Sequence, residues 1–180
     1  MVDSFSDESK KTVVLSIVAT KSNTGKTTLI EKLIKALKLR NYSVGVLKHD
    51  AHKFDIDKEG KDSFKFSMAG ADNVIISSSE KLAMIQKVEK EVPIDKILLL
   101  FKGIDIVLIE GYKDNNFPKI EVHRKNVDSN LLCTNPKFQF SQIIALATDE
   151  DIRANIPLLN LNDVNSICDF IESKLIKCIV

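Results

Sequence analysis

The chain has 180 residues, the size of one domain and long enough to bury a real core. Lys and Arg total 26 against 25 Asp and Glu, a formal charge of +1, which argues against a dedicated electrostatic nucleic-acid binder. With 44% hydrophobic and 28% charged residues the composition is not that of a disordered chain, and no apolar run nears the roughly 18 residues of a membrane span.

Residues 1–11 are polar and mixed in charge, read as a flexible tail without the apolar stretch of a signal peptide. Thr12–Ala19 is short and β-branched, a buried strand. After the polar loop Thr20–Gly25, the segment Lys26–Arg40 carries Leu29, Ile30, Leu33, Ile34 and Leu37 at helical spacing, with Asn41 as its stop. Ser43–Leu47 is a second strand, so the chain opens as a right-handed strand–helix–strand crossover. A long polar loop runs from Lys48 to Asp62, and Ser63–Met68 is a short helix ending near Gly70. Asn73–Ser77 and Leu82–Val88 form a hairpin about Ser78–Lys81, and Pro93 opens a helix to Phe101. Ile104–Ile109 is a buried strand closed by Glu110 and Gly111. Lys119–His123 alternates and reads as an edge strand, Gln142–Ala147 as another buried one. Asp163 caps a last helix to about Lys177. Strands and helices alternate with no repeat or linker. The expected fold is therefore α/β, a three-layer sandwich around a mainly parallel sheet, in a single domain over residues 12–180.

The sharpest motif is Ala19–Thr28, ATKSNTGKTT, between first strand and first helix. Backbone N–H groups of a helix N-terminus have no intrahelical partner, and the helix dipole adds positive charge there. Gly25 permits close approach of a phosphate, Lys26 reaches the β- and γ-phosphates, and the Thr27 hydroxyl suits magnesium. Lys21, Ser22, Asn23, Thr24 and Thr28 complete the candidate nucleotide cradle of a P-loop NTPase fold. Thr20 stands where the usual motif has its first Gly, as in the variant loops of the dethiobiotin synthetase and cobyrinic acid amidase group. Lys21 resembles the extra lysine of dimeric ATPases such as the cell-division and arsenite-pump proteins, where it reaches a nucleotide across the dimer; a solvated loop lysine is the competing reading.

Glu110 ends a buried strand on the side where α/β sheets bind ligands; it can hold a metal, directly or through water, or orient an attacking water. Lys26 and Glu110 are the candidate catalytic groups. Asp105, five residues earlier, reads as structural. In the long loop, Lys48 can meet an anion and Asp50 can enter the metal sphere. His49 and His52 with Asp50, Asp55 and Asp57 are metal-capable, but their spacing matches no recognised zinc pattern. Asp149, after the Gln142–Ala147 strand, is a candidate contact to the nucleotide base, as is the loop Asn160–Asp163; a simple strand-ending turn is the competing reading.

Taken together, Thr24–Leu37, Val44–Ser63, Ala69–Asp72 and Ile104–Arg124 resemble the molybdopterin-guanine dinucleotide biosynthesis adapter proteins, the MobB family. The resemblance implies a homodimer that binds GTP with Mg2+, hydrolyses it weakly, and associates with the guanylyltransferase that attaches GMP to molybdopterin. It also implies that Lys48, His49, His52, Asp62, Ser63, Gly111 and Lys113 serve substrate or partner, with molybdopterin itself a candidate ligand. No nucleic acid or membrane partner is expected. An ATP-dependent synthetase of the dethiobiotin type, acting on a small carboxylate, is the alternative reading, and a metal chaperone built on His49 and His52 is a third.

The three cysteines, Cys133, Cys168 and Cys178, are scattered and contain no Cys-x-x-Cys, so a reducing, cytoplasmic location is expected. Lys21, Lys26, Lys48, Lys61 and Lys113 all fall in loops expected at one edge of the sheet, so the near-zero total conceals a local anion site.

Overall fold

A computed structural model describes residues 11–49, 54, 56–138 and 142–177. The tail expected over 1–11 lies outside them except for Lys11, as do Asp50, His52, Asp55 and Cys178. The described chain forms two compact units, one of residues up to His49 and from Phe101 onward, the other between them. Nothing in the sequence patterning announces this division.

In the first unit, β1 (Val13–Val18) leads into α1 (Lys26–Leu39) and back into β2 (Val44–Lys48). Further along come β5 (Ile106–Glu110), β6 (Lys119–His123), β7 (Ile143–Thr148), β8 (Leu158–Asn160) and α4 (Val164–Ile171), which continues through a π turn at Glu172–Ile176. The second unit holds α2 (Asp62–Met68), β3 (Asn73–Ser77), β4 (Leu82–Gln86) and α3 (Ile94–Leu98), and a 3₁₀ turn at Leu99–Phe101 follows. The six-stranded sheet has the order β2-β5-β1-β6-β7-β8, and every pairing in it is parallel. The α/β class and mainly parallel sheet expected from the alternation hold. In the second unit β3 and β4 pair antiparallel by themselves, Ile75 opposite Met84.

Period-two alternation sorts the sheet's side chains. One face sends Leu15, Ile17, Ile106, Leu108, Ile120, Val122, Ala145 and Ala147 into a core closed by α1 and α4. The α1 stripe of Leu29, Ile30, Leu33, Ala36 and Leu37 is buried there, beside Ile167, Cys168 and Ile171 of α4. Arg40 ties the two helix ends, donating to Asp169 at 2.7 Å and Glu172 at 3.0 Å. The Asp163 cap holds as expected, its carboxylate accepting from the Ser166 N–H at 3.1 Å.

On the opposite face, buried apolar residues such as Val107, Ile109 and Leu146 are joined by the polar side chains of β6. Here the sequence reading needs correction: Lys119–His123 is not an edge strand but lies between β1 and β7, fully buried. Its charges mimic a solvated edge in the sequence; each is met inside the protein instead. Lys119 Nζ donates to the carbonyls of Asn115 at 2.5 Å and Phe117 at 3.0 Å. The Glu121 carboxylate accepts the backbone N–H groups of Leu132 at 2.6 Å and Cys133 at 2.9 Å. His123 faces Glu150 at 3.7 Å. The strand β8 was not anticipated; at three residues it carries too little pattern to read. Asp105 is structural as expected, its carboxylate accepting both the N–H and the hydroxyl of Ser43 at 2.8 Å.

Truncating Glu121 to Ala leaves two buried N–H groups without an acceptor, so it is expected to destabilise the protein by roughly 2–4 kcal/mol. Glu121→Gln, which keeps one acceptor oxygen, should lose about half as much, measured by urea unfolding.

Candidate functional site

A parallel sheet sends the C-terminal ends of all its strands to one edge, and the crossovers place helix N-termini at that same edge. The loop after β1 meets α1 there. Gly25 is the residue before the helix, with φ +98°, a left-handed conformation that side-chain-bearing residues rarely adopt. It gives no side-chain cap, and the first turn of α1 contains no acid. The N–H groups that a Ser or Asp cap would normally satisfy are thus left to an outside anion. Asn23 is also left-handed at φ 60°, so the loop turns twice over three residues. Thr24 is buried and its hydroxyl donates to the Lys21 carbonyl at 2.8 Å, closing the loop on itself.

Lys26 lies across this loop, Nζ donating to the Lys21 carbonyl at 3.2 Å. Burial holds its pKa below the ordinary lysine range; Glu110 opposes that shift, while Lys113 and Lys48 add to it. Those four side chains therefore share one electrostatic neighbourhood. Thr27 donates to Glu110 Oε1 at 2.9 Å, so residues 83 apart in the chain meet at the edge where β1 and β5 lie side by side. Hydroxyl plus carboxylate is an all-oxygen pair of the kind that suits magnesium.

The turn after β5 presents two consecutive left-handed residues, Gly111 at φ 91° and Tyr112 at φ 51°. Tyr112 stacks on His49, ring centroids 4.0 Å apart, and the His49 N–H donates to the Glu110 carbonyl at 3.0 Å. Lys48 pairs in register with Glu110 on the neighbouring strand. Lys113 Nζ donates to the Thr20 carbonyl at 3.0 Å, joining this turn to the phosphate loop. Asn115 anchors the same turn to the sheet through the Ser16 hydroxyl, at 2.8 Å.

The structure therefore gathers Lys21, Ser22, Asn23, Thr24, Gly25, Lys26, Thr27, Thr28, Lys48, His49, Glu110, Gly111 and Lys113 at one edge of the first unit. Asp62 and Ser63 open α2 in the second unit, where Asp62 pairs with Lys65 at 3.0 Å and Ser63 donates to Asp57 at 2.8 Å. Asp50 and His52 lie outside the described residues. Among the described residues no group of three or more His, Cys, Asp and Glu is placed to hold a metal. Asp149 follows β7 and grips Arg124 at 2.7 Å.

Sequence reasoning missed two participants. Asp128 receives Thr20 at the position where the usual loop has glycine, and Lys21 lies 3.8 Å away. Arg124 directly follows β6 as Glu110 ends β5, and that place at a strand's C-terminal end was the available signal.

The family model for molybdopterin guanine dinucleotide synthesis protein B matches residues 14–149. The chain belongs to the MobB family. The matched span includes every residue of the gathered edge. A molybdopterin-guanine dinucleotide biosynthesis adapter protein of Haemophilus influenzae is 38% identical over 157 residues, covering 86% of this chain and 85% of that protein. Its counterpart in Escherichia coli is 33% identical over 172 residues, covering 93% and 97%. A crystal structure of molybdopterin-guanine biosynthesis protein B superposes with a TM-score of 0.69 at 31% identity, covering 89% of this chain and 99% of that one.

The Asp128 carboxylate is held below its ordinary value of 3.8, first by the Asn130 N–H, then by the Thr20 hydroxyl. A depressed folded-state pKa gives stability that is present above the unfolded value and lost as pH falls through the folded one. Asp128→Asn should therefore flatten the acid limb of stability below about pH 4, followed by urea midpoints across that range.

Proposed function

We propose that this MobB protein is a GTP-binding adapter with weak GTPase activity, which assists the attachment of GMP to molybdopterin in molybdopterin guanine dinucleotide biosynthesis. The observation that carries the reading is the uncapped first turn of α1, with Lys26 across it and the Thr27–Glu110 pair beside it. The adapter role comes from the relatives' names, and the gathered lysines supply the anion affinity that role needs.

In this reading the N–H groups at the start of α1 and Lys26 bind the phosphates, with Lys21, Ser22, Asn23, Thr24, Gly25 and Thr28 shaping the cradle. Thr27 and Glu110 would hold Mg2+, which when bound neutralises phosphate charge. Glu110 can alternatively orient water. Slow turnover is expected, since neither the phosphate loop Ala19–Thr28 nor the turn after β5 supplies an arginine finger or a glutamine. Lys48, His49 and Lys113 border the phosphates and would face molybdopterin or the guanylyltransferase. A homodimer is supported by β3–β4, whose Ile75, Leu82 and Met84 share one exposed apolar face that a second copy would cover. A cytoplasmic site of action fits the free Cys133 and Cys168, and no described helix is long and apolar enough to cross a membrane.

The test is calorimetric titration with GTP and ATP in Mg2+, followed by a basal hydrolysis assay. Binding of GTP with very slow turnover is expected. Rapid ATP turnover on adding a small carboxylate would instead establish a synthetase. Lys26→Ala should abolish nucleotide binding with the unfolding midpoint little changed; retained affinity would remove the phosphate-loop assignment.

A further inference from the structure

Arg124 lies outside the phosphate and magnesium contacts assigned above, yet its guanidinium stands beside the phosphate loop. A methyl group built on Gly25 would lie 3.5 Å from Arg124 Nε and 3.9 Å from Nη2. The third nitrogen, Nη1, donates to Asp149 Oδ2 at 2.7 Å. Nε and Nη2 form one edge of the planar guanidinium, the side-on fork that matches two oxygens of a phosphate. Asp149 thus holds the far nitrogen while the fork stays next to Gly25. The Arg124 side chain is partly exposed.

The sheet order gives the fork its place. Glu110 ends β5 on one flank of β1, and Arg124 follows β6 on the other. Glu110 and Arg124 thus flank the phosphate loop from opposite sides, and a nucleotide with its terminal phosphate by Lys26 and Glu110 reaches Arg124 when it extends over Gly25 toward β6. The group arriving at Arg124 is then the phosphate next to the nucleoside.

We propose that Arg124 is a nucleotide-binding residue that takes the nucleoside-proximal phosphate side-on, and that Asp149 is its positioning residue. The inference rests on the GTP-binding reading above and extends it to the other flank of β1. Chemically it predicts a contact common to the diphosphate and the triphosphate and indifferent to the base.

The test is equilibrium binding of GTP, GDP and ATP in Mg2+ to the full chain and to Arg124→Ala, Arg124→Lys and Asp149→Asn, with unfolding midpoints measured without nucleotide. Arg124→Ala should weaken GTP and GDP alike by roughly 10- to 100-fold, the worth of a charge-assisted bidentate contact. Arg124→Lys should not restore the affinity, because an ammonium lacks the fork. Asp149→Asn should weaken both nucleotides by a smaller factor and leave the GTP-to-ATP ratio unmoved. Arg124→Ala within twofold of the parent overturns the proposal, and so does a loss confined to GTP, which would put Arg124 on the terminal phosphate. A changed GTP-to-ATP ratio in Asp149→Asn overturns the positioning role and makes Asp149 a reader of the base. If the unsubstituted protein binds no nucleotide, the GTP-binding reading itself fails; binding by that protein with no effect at Arg124 removes this inference alone.

Discussion

Everything at the gathered edge depends on a helix that begins without a cap. Most helices satisfy their first N–H groups with a Ser, Thr, Asp or Asn side chain and favour acids in the first turn. α1 does neither: Gly25 precedes it and Lys26, Thr27 and Thr28 open it. Local stability is set aside for an anion-ready terminus, and the apolar stripe of α1 against the sheet compensates. That stripe is buried at five positions, so packing and not capping holds the helix in place. The same packing aims its N-terminus at the edge where β5 delivers Glu110.

The opposite face of the sheet shows how a parallel strand can be central and charged at once. Lys119, Glu121 and His123 are all buried on β6, and two of them hold loop segments through backbone groups. Those segments are the ones that shape the site. Lys119 secures the turn carrying Lys113, and Glu121 secures the stretch after Asp128. Replacing this layer with apolar packing would leave the loops with nothing specific to bind. Burial of the polar groups therefore determines loop conformation more than it adds to the core.

How much of this was legible in the sequence follows from how local each signal is. The β1–loop–α1 unit was readable because its strand, glycine and helical stripe are contiguous and each has a strong local cause. Glu110 was readable because a carboxylate that abruptly ends an apolar run marks the point where a buried strand meets the ligand edge. β6 was misplaced because alternating charge is the pattern of an edge, and its partners, Leu132 and Cys133, lie beyond the strand in sequence. Arg124 was passed over for a similar reason: its meaning depends on a neighbour about a hundred residues earlier, Gly25, that only the sheet order brings near.

The aromatic composition also has an optical consequence. The chain has no Trp and two Tyr, so its intrinsic fluorescence comes from Tyr42 and Tyr112. Tyr42 packs against the core, near the end of α1 away from the phosphate loop. Tyr112 lies two residues beyond Glu110 and stacks on His49. The protein thus carries a native chromophore within its own candidate site. Rearrangement of the turn after β5 would register in its emission without any label being added.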